Sequence, residues 1–401
     1  MIIPSANRLN AVSTYYFARK LAQIDSLNND GGLPVINLGI GSPDLAPAPE
    51  VVSTLISVSQ HIDAHKYQPY KGIKALRDAF SQWYKTHFGI SISSPDEILP
   101  LIGSKEGVMH ISMAFINPGD EVLVPDPGYP SYSMCTLLTG GVPVAMPLVK
   151  SHGWKPDLDA LRKKDLSKVK MMWINYPNMP TGAKADLGFF EDLVGFATEH
   201  QILICHDNPY VFLLNDHPIS IFNAPGAKDC AVELISLSKC YNMAGWRVGA
   251  VAGKKPYIDA IMTYRSNMDS GMFKPVQEAA VTALGLGKDW IRSLNSIYFK
   301  RRAMASSLFS ELDLEFDRDG AGLFLWGRIK DSYSSAEAYS EYLLNTYRVF
   351  ITPGHIFGTN GEHYLRVSLC SPEEDFIEAI NRMKNNPMEI HDTLSKKTNG
   401  E

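Results

Sequence analysis

Through the middle of the chain, short apolar runs alternate with stretches of helical periodicity, and this alternation restricts the fold more than any other feature. Candidate strands are Glu121–Val124, Met171–Ile174, Ile202–Cys205, Glu233–Ser236 and Gly249–Ala252, each short and rich in branched residues. Helical patterns lie between them at Lys105–Phe115, Ser131–Leu138 and Leu187–His200. Such alternation predicts an α/β fold with a mostly parallel sheet flanked by helices. Sheets of this kind bind ligands outside the carboxyl ends of their strands, so residues that carry chemistry are sought just after the apolar runs.

The C-terminal part has a different rhythm. Tyr298–Leu312 reads as a long helix, Gly322–Ile329 and Tyr364–Leu369 as strands, and Ser335–Tyr347 and Pro372–Lys384 as helices. A smaller α+β domain is expected there. The division expected is an N-terminal arm with part of the small domain over 1–45, a large domain over 46–290, the small C-terminal domain over 291–388 and a tail over 389–401. The first 30 or so residues pack either on the small domain or on a partner subunit. Residues from Met388 onward are polar and are expected to fray.

Composition closes several routes. The five cysteines form no C-x-x-C pair, and no histidine spacing accompanies them, so neither a zinc site nor a disulfide framework is expected. The formal charge is −5, from 38 basic and 43 acidic residues, without a basic block of the kind that binds nucleic acid. Met1–Lys20 lacks a secretory apolar core, and no apolar run reaches the roughly 18 residues a membrane span needs. A cytoplasmic protein with no metal, nucleic-acid or membrane partner is the expectation.

Five segments carry chemistry. The first is Ser236-Leu-Ser-Lys239-Cys-Tyr-Asn-Met-Ala-Gly-Trp-Arg247-Val-Gly249, directly after an apolar run. The Lys239 amine can form a Schiff base with an aldehyde cofactor. Ser236 and Ser238 offer hydroxyls to a phosphate, and Arg247 offers a planar two-bond fork. The second, Ile202-Leu-Ile-Cys-His-Asp207-Asn-Pro-Tyr210, ends a buried strand in a carboxylate. Such a group is costly to ionise without a cation. A protonated pyridine nitrogen is one partner for it, and a turn capped by the same Asp207 is the other reading. Tyr210 is placed to bond the ring's phenolic oxygen.

The third segment, Gly103-Ser104-Lys105-Glu106-Gly107, opens a helix whose free amides suit an anion. It lacks the spacing of a P-loop. The fourth, Val124-Pro-Asp-Pro-Gly-Tyr129-Pro-Ser-Tyr132, presents Tyr129 after a turn, either as a face that stacks on a pyridine or as a half-buried loop residue. The fifth, Tyr364-Leu-Arg366-Val-Ser, centres an arginine in an apolar strand. Its anion is either an internal carboxylate or a substrate α-carboxylate.

Together these segments resemble the class I, aspartate-aminotransferase-like branch of enzymes that use pyridoxal 5′-phosphate (PLP), in the family's order from Ile36-Asn-Leu-Gly-Ile-Gly41-Ser-Pro-Asp44 to Arg366. The resemblance implies that Lys239 is the Schiff-base lysine and proton carrier, Asp207 the pyridine partner and Tyr210 the partner of the phenolic oxygen. It implies a phosphate cup of Gly103, Ser104, Lys105, Ser236, Ser238 and Arg247. It makes Tyr129 the stacking ring, and gives Arg366 and the Gly41 backbone to the substrate carboxylate. Lys66-Tyr67-Gln-Pro-Tyr-Lys-Gly72 is similar to a segment whose tyrosine serves the neighbouring subunit, which implies a homodimer with shared sites.

One departure stands out. The family's Asn-Pro-Thr-Gly is here Asn178-Met179-Pro180-Thr181-Gly182, with Met179 where the asparagine on the phenolic oxygen belongs. A thioether accepts weakly and donates nothing. Either Tyr210 holds that oxygen alone or Asn178 moves in. Within the family, Gly-Ser-Lys-Glu-Gly, Asn117-Pro-Gly-Asp120 and Asp126-Pro-Gly-Tyr-Pro are similar to LL-diaminopimelate aminotransferases and relatives acting on aspartate, alanine or methionine. The implied activity is ping-pong transfer of an amino group from an amino acid to a 2-oxo acid. The alternatives are a PLP-dependent carbon–sulfur lyase and a non-catalytic PLP-binding regulator.

Overall fold

Seven strands form the central sheet of the computed structural model, which describes residues 2–12, 16–333 and 335–385. They are β1 (Ile98–Leu101), β2 (Glu121–Asp126), β3 (Val142–Pro147), β4 (Val169–Ile174), β5 (Leu203–Asp207), β6 (Ala231–Ser236) and β7 (Gly249–Gly253). Their order is β1-β7-β6-β5-β4-β2-β3. Only β7 opposes its neighbours, through Leu101↔Gly249 on one side and Ser236↔Gly249 on the other; the remaining pairs are parallel. Both faces of β5 and β6 are buried, which is why they read as continuous apolar runs rather than alternating ones.

The sequence reading missed β1 and β3. Both contain proline (Pro100; Pro143 and Pro147), and both are edge strands. Proline removes a ladder hydrogen bond and is tolerated there. The helix Leu187–His200 shows how a crossover is fixed. Asp186 accepts the Phe189 amide at 2.8 Å as its N-cap, and an apolar stripe from Phe189 to Ala197 turns to the core.

The smaller unit carries an antiparallel sheet of β8 (Glu315–Phe316), β9 (Phe324–Arg328), β10 (Thr352–Pro353) and β11 (Tyr364–Ser368), ordered β10-β11-β9-β8. Arg366 lies opposite Trp326 on one side and Thr352 on the other, so it sits within the sheet. The long helix before it begins at Lys288, earlier than the Tyr298 read from sequence. The N-terminal segment joins this unit. Ile36 pairs in parallel with Val349, and the helix Tyr16–Asn28 buries Ile24 with Leu344 and Phe350. The polar stretch from Met388 lies outside the described residues.

Candidate active site

The carboxyl ends of the strands open into a cavity of about 590 Å³, within the range of small-molecule sites. Ser104 and Lys105 reach it just after β1, and Tyr129 and Tyr132 after β2. Asn175 and Met179 follow β4, and Asp207 ends β5. Ser236 ends β6, with Ser238 and Lys239 one turn on; Arg247 precedes β7, which runs the other way and so starts at the same end. Tyr210, Gly41 and Arg366, also expected from sequence, line it too, whereas Gly103 does not.

Asp207 is the buried acid. Tyr132 donates to its Oδ2 at 2.8 Å, while Oδ1 is buried without a hydrogen-bond partner among the described residues. Burial raises its pKa to about 6, opposed by the Tyr132 bond and by the nearby His206. Tyr132 is itself fixed by flat stacking on Trp173, with centroids 4.9 Å apart. Lys239 is the partly buried amine. Its Nζ donates to the Gly41 carbonyl at 2.6 Å, and burial pulls its pKa below the usual lysine value, aided by the Arg366 and Arg247 charges.

At the other end, Arg247 donates to Ser238 Oγ at 3.4 Å and to the Ala244 carbonyl at 3.0 Å. Gly103 is at φ +84°, and a Cβ there would fall 2.1 Å from Arg247 Nη2, so only glycine lets the guanidinium lie against the N-terminus of the helix Ser104–Phe115. Arg366 is buried. Its Nη2 donates to the Gly39 carbonyl at 2.7 Å, and its guanidinium lies 4.0 Å from the Phe324 ring and 4.6 Å from the Phe357 ring. A buried acid, a partly buried amine, an arginine–serine cluster and a second arginine thus converge on one cavity.

The sequence profile described as Aminotransferase class I and II matches residues 34–383. This chain belongs to that family. The aminotransferase is 39% identical over 386 residues to a Gloeobacter violaceus protein named LL-diaminopimelate aminotransferase, covering 95% of this chain and 97% of that one. A protein of the same name from Aquifex aeolicus is 37% identical over 382 residues, covering 95% and 98%. Among solved structures, apo-BacF from Bacillus subtilis superposes with a TM-score of 0.93 at 33% identity, covering 96% of this chain and 98% of that one.

Within the aminotransferase, one sequence expectation needs correcting. Asn178 does not line the cavity. Its Oδ1 accepts from the Thr181 hydroxyl at 2.7 Å and the Thr181 amide at 3.3 Å, and its Nδ2 donates to the Asn175 carbonyl at 3.2 Å. The turn consumes the side chain, so it cannot also move toward the ring site. Met179 lines the cavity instead, its sulfur accepting from Arg366 Nη1 at 3.4 Å. Tyr67 also lies outside the cavity, 91% exposed.

Several lining residues of the aminotransferase had no role in the sequence reading. Asn175 joins two strand ends, donating to the Asp207 carbonyl at 2.6 Å and accepting from the Met179 amide at 2.7 Å. Tyr132 stood in a segment already singled out, three positions after Tyr129 and in the first turn of the helix Ser131–Leu138, but no role was read for it there. Phe17, Phe324 and Phe357 gave none, because a cavity-wall aromatic and a core aromatic have the same sequence pattern.

Proposed function

We propose that the protein is a PLP-dependent aminotransferase that moves the amino group of an amino acid to a 2-oxo acid, with Lys239 as the catalytic amine and Asp207 as the pyridine-nitrogen partner. The observation that carries this reading is the buried Oδ1 of Asp207, without a hydrogen-bond partner among the described residues, in the same cavity as the Lys239 amine. A cationic ring nitrogen fits that oxygen. The cup of Ser104, Ser236, Ser238 and Arg247 fits a phosphate, and Tyr129 fits the ring face.

When bound, PLP supplies an aldehyde for the donor's amine and a cationic ring that draws electron density from Cα. The chain supplies the rest. Arg366 binds the α-carboxylate and fixes where Cα lies. Lys239, with its ammonium disfavoured by burial, takes the Cα proton as a general base and returns it as an acid. Asp207 would hold a proton on the ring nitrogen of the bound cofactor. Tyr210 is assigned to the phenolic oxygen. One 2-oxo acid leaves and a second accepts the amino group, which gives ping-pong kinetics.

We further propose a homodimer in which Tyr67 serves the partner's phosphate. The exposed aromatic and apolar patch around it, with Ile62 90% exposed and with Tyr70 and Phe273, supports this. The units 46–290 and 1–45 with 291–388 are proposed as two domains, on the strength of the Ile36–Val349 pairing. We assign the cytoplasm as compartment; no described helix is long and apolar enough to cross a membrane.

The test is a half-reaction. PLP-loaded protein mixed with single amino acids, LL-diaminopimelate included, should change to the pyridoxamine spectrum for at least one of them. Lys239→Ala should retain the cofactor and lose about 10²–10⁴-fold in that conversion. Conversion at near wild-type rate by Lys239→Ala would refute the assignment. Pyruvate and ammonia released from cystathionine without an acceptor acid would instead favour a carbon–sulfur lyase.

A further inference from the structure

Glu233 and His206 are fully buried and take no part in the proposed reaction. They lie side by side, because β5 and β6 pair in parallel with His206 opposite Glu233. His206 Nδ1 is 2.8 Å from Glu233 Oε1, and its Nε2 is 3.0 Å from the Tyr176 carbonyl oxygen. The Phe190 ring meets the imidazole edge-on, with centroids 5.1 Å apart. The Glu233 carboxylate also accepts from the Tyr84 hydroxyl at 2.7 Å, the Ser220 hydroxyl at 2.8 Å, the Ile221 amide at 3.2 Å and the Asn208 side chain at 3.3 Å. Burial pushes this carboxyl toward its neutral form, but the bonds from His206, Tyr84 and Ser220 outweigh it and hold its pKa below the usual carboxylate value.

An ionised carboxylate and a carbonyl only accept hydrogen bonds. Both ring nitrogens of His206 therefore donate, and the ring is an imidazolium. Glu233 and His206 are enclosed within their own chain, so a second subunit leaves these contacts as they are. A fully buried ion pair is often no more stabilising than apolar side chains of the same volume. Stability alone does not explain two ionised groups at this place.

Their place is around Asp207. His206 precedes the acid and Asn208 follows it, and both bond the same oxygen of Glu233. The Asn208 amide also donates to the Leu234 carbonyl at 2.9 Å. Successive side chains of a strand point to opposite faces. The pair thus lies behind the sheet, while Asp207 turns to the cavity, where Tyr132 donates to it and Tyr210 and Lys239 share the space. Burial disfavours the charged form of Asp207, and the Tyr132 bond and the His206 charge oppose that.

Resting on the aminotransferase reading, we propose that Glu233 and His206 are positioning residues for Asp207. Glu233 fixes both chain neighbours of the acid and keeps His206 charged, and that cation favours the ionised carboxylate that a cationic ring nitrogen needs.

Two measurements test the proposal. Neutron diffraction from deuterium-exchanged crystals of the PLP-loaded wild type should show deuterium on both Nδ1 and Nε2 of His206. A ring carrying only one overturns the proposal, and this test needs no variant. The second measurement titrates apoprotein with PLP by fluorescence from pH 5 to 8, comparing wild type, Glu233→Gln, His206→Gln and Asp207→Asn. Glu233→Gln keeps the shape and removes the reason for the second ring proton; His206→Gln removes the cation itself. In both, the Asp207-dependent part of PLP affinity should be about 3–10-fold weaker at pH 5 and approach wild type by pH 8, which moves its midpoint up by about 0.5–1 in pH. A purely structural role would weaken binding equally at every pH. An unmoved midpoint in both variants, with wild type still gaining on Asp207→Asn, overturns this proposal and leaves the aminotransferase reading intact. Identical profiles for wild type and Asp207→Asn overturn both the role of Asp207 and the support proposed for it.

Discussion

Tyr132 donates its hydroxyl hydrogen to one oxygen of Asp207 and leaves the other oxygen buried without a partner among the described residues. This division of one carboxylate has a pH consequence. Between the ordinary aspartate value of 3.8 and about 6, the folded chain without cofactor holds a proton that the unfolded chain has lost. From this group, folding stability therefore falls as pH rises through that window. A cationic nitrogen requires the ionised form, so the Asp207-dependent part of PLP affinity rises with pH toward about 6 and levels off above it. Fluorescence titrations of apoprotein with PLP from pH 5 to 8 should show wild type gaining on Asp207→Asn across this range. Removing the hydroxyl in Tyr132→Phe should push the midpoint upward, because that bond favours the charged carboxylate. Identical pH profiles for wild type and Asp207→Asn would exclude the assigned role.

Arg366 offers a planar fork held between the Phe324 and Phe357 rings. A lysine in its place keeps a positive charge but loses both the two-bond geometry and the stacking surface. Arg366→Lys should therefore raise KM for amino donors by about 10²-fold and lower kcat less, since α-carboxylate binding acts in the ground state and transition state alike. Steady-state kinetics with one donor at saturating 2-oxo acid checks this. A fall in kcat with KM unchanged would place Arg366 elsewhere in the reaction.

What the sequence made legible follows from how rare each pattern is. Asp207 closing a buried strand and Arg366 inside another are charges that a core does not tolerate without a ligand or partner, so they announced themselves. Lys239 was legible through its neighbours Ser236, Ser238 and Arg247. Tyr132 was visible as a residue but not as a partner, because Asp207 is 75 positions away and only the sheet order brings them together. Edge strands β1 and β3 were hidden by their prolines. The Asn178 expectation went wrong because the sequence does not show that Thr181 already occupies its amide.

Met179 sits where an amide donor was expected, with its sulfur on Arg366 Nη1. Restoring the amide in Met179→Asn adds a donor that favours the ionised phenolic oxygen of the cofactor. The pH midpoint of the PLP absorbance band should therefore move down. Wild-type activity without this donor is the expected outcome, since Asp207 and Lys239 line the cavity without it. A spectrophotometric titration of both proteins between pH 5 and 10 gives the answer, and an upward shift would contradict this account.

Asp126, fully within the protein, anchors the loop that carries Phe357 to the cavity. It accepts from the Thr359 hydroxyl at 2.7 Å and from the Asn360 amide and side chain, both at 3.0 Å. Gly358, at φ +134°, passes so close that a Cβ would lie 2.0 Å from Asp126 Oδ1. The backbone there is in a region open essentially to glycine alone. Gly358→Ala should cost about 1–3 kcal/mol in chemical denaturation. Asp126→Ala should cost about 1–3 kcal/mol by stranding the three donors. Both should also raise donor KM, because the loop that moves is the one placing Phe357 against Arg366, and Gly128 donates to the Phe357 carbonyl at 2.8 Å from the other side. If either variant unfolds more easily yet binds donors with unchanged KM, the loop supports the fold without shaping the site.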